Sequence, residues 1–101
     1  MSDIIPTRPV TYQFRGLALP EHLQASIDRY VNMGVPTGGF LEACINNDLK
    51  EALGRADDKN IHLLPVIVAY LYNECPMGCW GFKGASKNWI DGIREMTKEK
   101  E

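Results

Sequence analysis

The chain has few of the features that would fix a function class outright. It holds only three cysteines, an odd number, and no secretion signal, so reduced thiols are expected rather than a disulfide framework. It has two histidines and no H-E-x-x-H run, no Gly-rich phosphate loop and no G-x-S-x-G elbow, so the common metal-helix, P-loop and hydrolase signatures are missing. No apolar run nears the ~18 residues that cross a bilayer. The first residues, Met1-Ser2-Asp3-Ile4-Ile5-Pro6, lack the basic segment and long apolar core of a secretion signal, which predicts a cytoplasmic protein. Charge of one sign is lacking too. A formal net charge of −2 argues against a nucleic-acid arm or a coat on an anionic membrane.

What is present is ordinary globular material. The 101 residues are 45% hydrophobic and 24% charged, enough for one domain with one core. Such a chain buries roughly two thirds of its unfolded surface. The fold class predicted is all-α, a compact bundle of about five short helices with an extended N-terminal segment. Residues 1–18 form the arm and residues 19–98 a single helical domain. Pro6 and Pro9 bracket the arm, and Val10-Thr11-Tyr12-Gln13-Phe14 has short strand character. No second strand is evident, so this segment lies along the helices or pairs with another copy.

The first helix is expected over 19–33, with Pro20 at its first position and Gly34 as its left-handed terminator. Leu23, Ile27, Tyr30 and Val31 make its apolar stripe, while Glu21, Gln24, Asp28 and Arg29 face water. Thr37 caps the second helix, whose inner face is Phe40, Leu41, Cys44 and Ile45. Asn46-Asn47 interrupts it, and Asp48 with Glu51 reads as a capping box for a third. Leu49, Ala52 and Leu53 point inward, and Gly54 ends that helix. Whether these two helices are separate or one bent helix stays open.

Asp57 or Asp58 caps a fourth helix through Ile61, Leu64, Ile67, Val68 and Leu71. This helix is apolar most of the way round, so it is central or lies between subunits. Pro65 either kinks it or marks its true start. Met77, Trp80 and Phe82 make the loop before the last helix too apolar to stand free. Ser86 caps that helix, whose inner face is Trp89, Ile90, Ile93 and Met96. Together these apolar excesses predict a homo-oligomer.

Chemistry concentrates at Thr37-Gly38-Gly39-Phe40-Leu41. Two glycines in the first turn leave backbone N–H groups bare, and the positive helix end favours an anion there. The alternative is that the glycines only permit a turn or close helix packing. Arg55 and Asn60 can converge on the same ligand, Arg as a bidentate phosphate donor and Asn as a reader of a base edge or ribose. Against that stands a plain helix boundary in which Arg55 pairs with Asp57 or Asp58. Tyr12, Arg15 and Trp80 offer stacking surfaces for a base, or simple packing. Asp58 and His62, four apart, make a weak acid–base or metal pair. Cys75 and Cys79 have C-x3-C spacing without a second ligand pair. No metal, cofactor or catalytic group is assigned. A helix-turn-helix outline around Gly54 fails, because the second helix offers no base-reading side chain after Asn60.

The motifs Gly34-Val35-Pro36-Thr37-Gly38-Gly39-Phe40-Leu41, Asn47-Asp48-Leu49-Lys50-Glu51-Ala52, Gly54-Arg55-Ala56-Asp57, Tyr70-Leu71-Tyr72-Asn73, Cys79-Trp80-Gly81 and Trp89-Ile90 follow one another over residues 18–92. In this order they resemble a family of small accessory proteins of tailed phages and prophages. The resemblance implies context, not an activity: a mobile-element gene acting in the host cytoplasm, often against host defences. The leading expectation is therefore an anti-defence protein, not an enzyme, that sequesters a phosphate-bearing nucleotide signal (a cyclic nucleotide or an NAD-derived signal) without cleaving it. Thr37, Gly38, Gly39, Arg55, Asn60, Tyr12, Arg15 and Trp80 are its expected contacts, with no DNA, RNA or membrane partner. The alternatives are a protein that blocks a host defence complex such as a CRISPR effector, or a virion accessory.

Overall fold

A computed structural model of the chain describes residues 12–100. Residues 1–11, including Pro6, Pro9 and Val10, lie outside the described residues. The architecture is all-α: α1 Glu21–Met33, α2 Gly39–Ile45, α3 Leu49–Arg55, α4 Leu64–Glu74 and α5 Ala85–Lys100. Two single 3-10 turns, Asn60–Leu63 and Met77–Cys79, sit before α4 and α5. No helix among the described residues is long and apolar enough to cross a membrane.

The first departure from expectation lies before α1. Gln13–Phe14 (β1) pairs antiparallel with Leu17–Ala18 (β2), Gln13 opposite Ala18 and Phe14 opposite Leu17. A strand here therefore has an intrachain partner. The two-residue turn between them is Arg15-Gly16, at φ 51° and 82°. Positive φ at both positions gives a turn whose twist matches that of the strands it joins. The hairpin packs on α4, where the Tyr12 ring meets the Tyr70 ring edge-on at 5.2 Å.

Helix α1 ends as expected. Gly34 adopts φ 69°, and the N–H groups of Gly34 and Val35 bond back to the carbonyls of Tyr30 and Arg29. Its start differs: Pro20 is the N-cap, outside the helix. Gln24 and Asp28 do not simply face water. Gln24 is buried, and its Oε1 accepts the Tyr12 N–H at 3.1 Å. Asp28 accepts the Tyr70 hydroxyl at 2.5 Å. Each carboxamide or carboxylate can leave water here because a donor awaits it.

Helices α2 and α3 are separate. Asn46 closes the first, Asn47 turns the chain at φ 57°, and Asp48 caps the second by accepting the Glu51 N–H. Asn and Asp tolerate these conformations through local hydrogen bonding. Gly54 lies inside α3, which ends at Arg55. Only Ala52 of α3 is buried; Leu49 and Leu53 are 67% and 46% exposed, contrary to their expected inward placement. Pro65 stands in the first turn of α4 and marks its start. Ser86 does not cap α5: it is buried in the first turn, and its N–H donates to Asn46 Oδ1 at 2.9 Å.

The core is built where the helices meet. Leu19, Ile27, Tyr30, Ile45, Val66, Ile67, Leu71, Cys79 and Ala85 have no exposed surface. Burying each large aliphatic among them contributes about 1.5–3 kcal/mol.

Candidate functional site

The start of α2 and the end of α3 face each other across the tight Asn46-Asn47-Asp48 connection. Between them lies an open cleft of about 320 Å³, lined by Gly39, Glu42, Ala43, Asn46, Asp48, Glu51 and Arg55. Arg55 is held by its own helix: its Nε donates to Glu51 Oε1, one turn earlier, at 2.8 Å. Its partner is thus Glu51, whereas Asp57 accepts the N–H groups of Lys59 and Asn60. The Arg55 side chain then runs over Gly39. A methyl group added at Gly39 would stand 2.9 Å from Nη1 and 3.3 Å from Cδ. Glycine at 39 is what lets the guanidinium lie on the helix start.

Thr37 does not cap α2. Its hydroxyl donates to the Gly38 carbonyl at 3.2 Å, and Gly38 is the N-cap, in extended backbone. Glycine has no side chain to supply an acceptor, so no side chain caps the first amides of α2. The Glu42 N–H is the first to enter the helical ladder, bonding the Gly38 carbonyl.

Of the eight residues expected at the site, Gly39 and Arg55 line the cleft, with Gly38 and Thr37 adjoining it in sequence. The other four do different work. Tyr12 is tied to α4: its hydroxyl donates to the Ala69 carbonyl at 3.5 Å and accepts from Asn73 Nδ2 at 3.0 Å. Arg15 occupies the hairpin turn, its guanidinium 5.1 Å from the Phe14 ring centroid. Trp80 packs, half-buried, against the core. Asn60 opens the 3-10 turn before α4 and does not line the cleft.

Sequence reasoning passed over the acidic wall, Glu42, Asp48 and Glu51. The i,i+4 spacing of Glu51 and Arg55 was the signal that could have found it. This wall matters for the chemistry. Three carboxylates beside one guanidinium weigh against any anion, and more against a phosphomonoester that carries nearly two charges than against a singly charged phosphodiester.

Two other concavities are mostly apolar. One, about 650 Å³, lies between α1 and α5 beside Trp89, whose indole N–H donates to the Val31 carbonyl at 3.0 Å. The other, about 700 Å³, runs along α4 between Phe14, Leu49, Leu64, Pro65, Val68 and Tyr72. No hydrogen bond or ion pair joins Asp58 to His62, and no group of three potential metal ligands occurs among the described residues. In comparisons with protein-family models, curated proteins and solved structures, nothing matches this chain.

Proposed function

We propose that this is a binding protein that captures a phosphate-bearing nucleotide signal and holds it without cleaving it. The observation that carries the reading is the Arg55 guanidinium lying across Gly39, at a helix start no side chain caps. A bridging phosphate seated there accepts from the bare amides of α2 and from Arg55 together. The carboxylates of Glu42, Asp48 and Glu51 oppose a terminal phosphate more than a diester, as in a cyclic nucleotide or an NAD-derived cyclic signal. The resemblance to phage accessory proteins supplies the setting: an anti-defence protein that depletes a host alarm molecule in the host cytoplasm.

The experiment is thermal denaturation of the whole chain with cyclic di- and trinucleotides and cyclic NAD-derived compounds, followed by recovery of the ligand after heating. A specific rise in Tm with intact ligand returned supports capture. Altered nucleotide points to an enzyme, and no response to any diester overturns the reading. Gly39→Asp, which puts a carboxylate where the phosphate sits, abolishes the response while the fold persists.

A second reading rests on the α4 groove. Val68 and Tyr72 are 41% and 74% exposed on a helix that buries Val66, Ile67, Ala69, Tyr70 and Leu71. An apolar groove of this kind suits a second copy or a host protein that the chain occludes. Light scattering on the purified chain and co-purification from host cells separate these two.

A further inference from the structure

The cavity between α1 and α5 holds about 650 Å³, within the range of about 300–1,000 Å³ usual for small-molecule sites. Among the described residues no charged side chain lines it. Trp89 supplies its aromatic wall, and Asn32 of α1 and Asn88 of α5 bring two carboxamides to it. Neither carboxamide has a hydrogen-bond partner among the described residues. The indole is held in place from two sides. Its N–H donates to the Val31 carbonyl at 3.0 Å, and a methyl group added at Gly78 would stand 3.7 Å from its Cζ3.

Gly92 is a second, independent observation. It stands in the middle of α5, where glycine weakens a helix. Packing does not call for it: a Cβ at 92 would meet nothing within 4 Å. What the glycine keeps is open space in the cavity wall, one turn beyond Asn88 and Trp89 on the same face of α5.

We propose that this cavity is a binding site for a neutral purine base of the adenine type, taken as the free base or the nucleoside. A carboxamide carries an acceptor and a donor side by side, which matches the donor and acceptor that adenine presents at N6 and N7. The fixed indole offers the ring an aromatic contact, and Gly92 leaves room for it beside the helix. A lining without charge suits a neutral ring, because a charged one would leave water with no counter-ion. Met96, 59% exposed at the same cavity, is a flexible thioether that can close on the ligand. Other elements than α2 and α3 build this site, so the inference does not rest on the capture of a phosphate.

The test is calorimetric titration of the full chain with adenosine, which carries no phosphate and so does not probe the cleft at Gly39. Saturable binding and a rise in Tm are expected. Gly92→Leu fills the cavity and abolishes the binding. Leucine favours a helix more than glycine does, so the Tm of the free chain does not fall, and lost binding is distinct from lost fold. Asn32→Ala and Asn88→Ala change exposed side chains, and each weakens adenosine about three- to tenfold by removing one net hydrogen bond. Indole, which stacks but lacks the N6–N7 edge, binds more weakly than adenosine. No saturable binding of adenosine, native affinity in Gly92→Leu, unchanged affinity in both asparagine variants, or indole bound as tightly as adenosine would each overturn the proposal.

Discussion

The Tyr30 hydroxyl donates to the Cys79 carbonyl at 2.7 Å, joining a fully buried residue in the last turn of α1 to a fully buried one in the loop before α5. A second carbonyl, Ala85, lies 3.4 Å from the same oxygen. The hydroxyl is held in its donor form: burial first, then the nearby Cys79, makes it a much weaker acid than an ordinary phenol. Tyr30→Phe keeps the ring and strands the carbonyl. The expected loss is about 1–3 kcal/mol, read as a lower denaturant midpoint with an unchanged slope.

Alkaline pH should loosen the fold through the same region. Burial pushes the Cys44 thiol up from 9.0 to about 11. A raised folded value favours the neutral form in the folded state. Its contribution is thus complete below pH 9, where the unfolded thiol is also neutral, and is lost as pH rises to about 11. Over that window the loss is on the order of 2 kcal/mol. Denaturant titrations at stepped pH follow it, and Cys44→Ala should flatten the decline.

Gly39→Ala tests the seating of Arg55 without adding charge. The methyl displaces the end of a flexible side chain, not backbone, so stability changes by less than about 1 kcal/mol. Diester affinity falls because the guanidinium can no longer share the phosphate with the α2 amides. Calorimetry that finds unchanged affinity removes Arg55 from the site.

The α4 groove yields a prediction about association. Val68→Asp and Tyr72→Glu alter exposed side chains, so in a chain that stays monomeric each shifts stability by only about 0.5 kcal/mol. Where the groove is covered by a second copy, either substitution lowers the mass seen by light scattering.

Much of the helical frame was legible because its punctuation is local. Gly34 ends α1 and Asp48 starts α3 through bonds within four or five residues, and the residue types alone announce them. What escaped depends on distant partners. Gln24 reads as a surface residue until Tyr12 presents its N–H, twelve positions away. Ser86 reads as a cap until Asn46 claims its N–H. The hairpin was missed because its strands are only two residues each, too short for alternation to register. Leu49 and Leu53 were read inward because a seven-residue helix has too few positions to fix its face. At the site, Asp48 and Glu51 read from sequence as a capping pair and not as neighbours of a ligand, and Glu42 carries no local signal of its place there.

The Tyr30–Cys79 bond has a consequence for synthesis. Forty-nine positions separate its partners, so the ribosome finishes α1 several seconds before the acceptor exists, at ordinary rates of about 5–20 residues per second. Throughout that interval the nascent α1 carries an aromatic ring with nowhere to settle. The chain commits to its final arrangement only once the loop before α5 has been made, and a truncated product that stops short of the loop should be a substrate for chaperones and proteases.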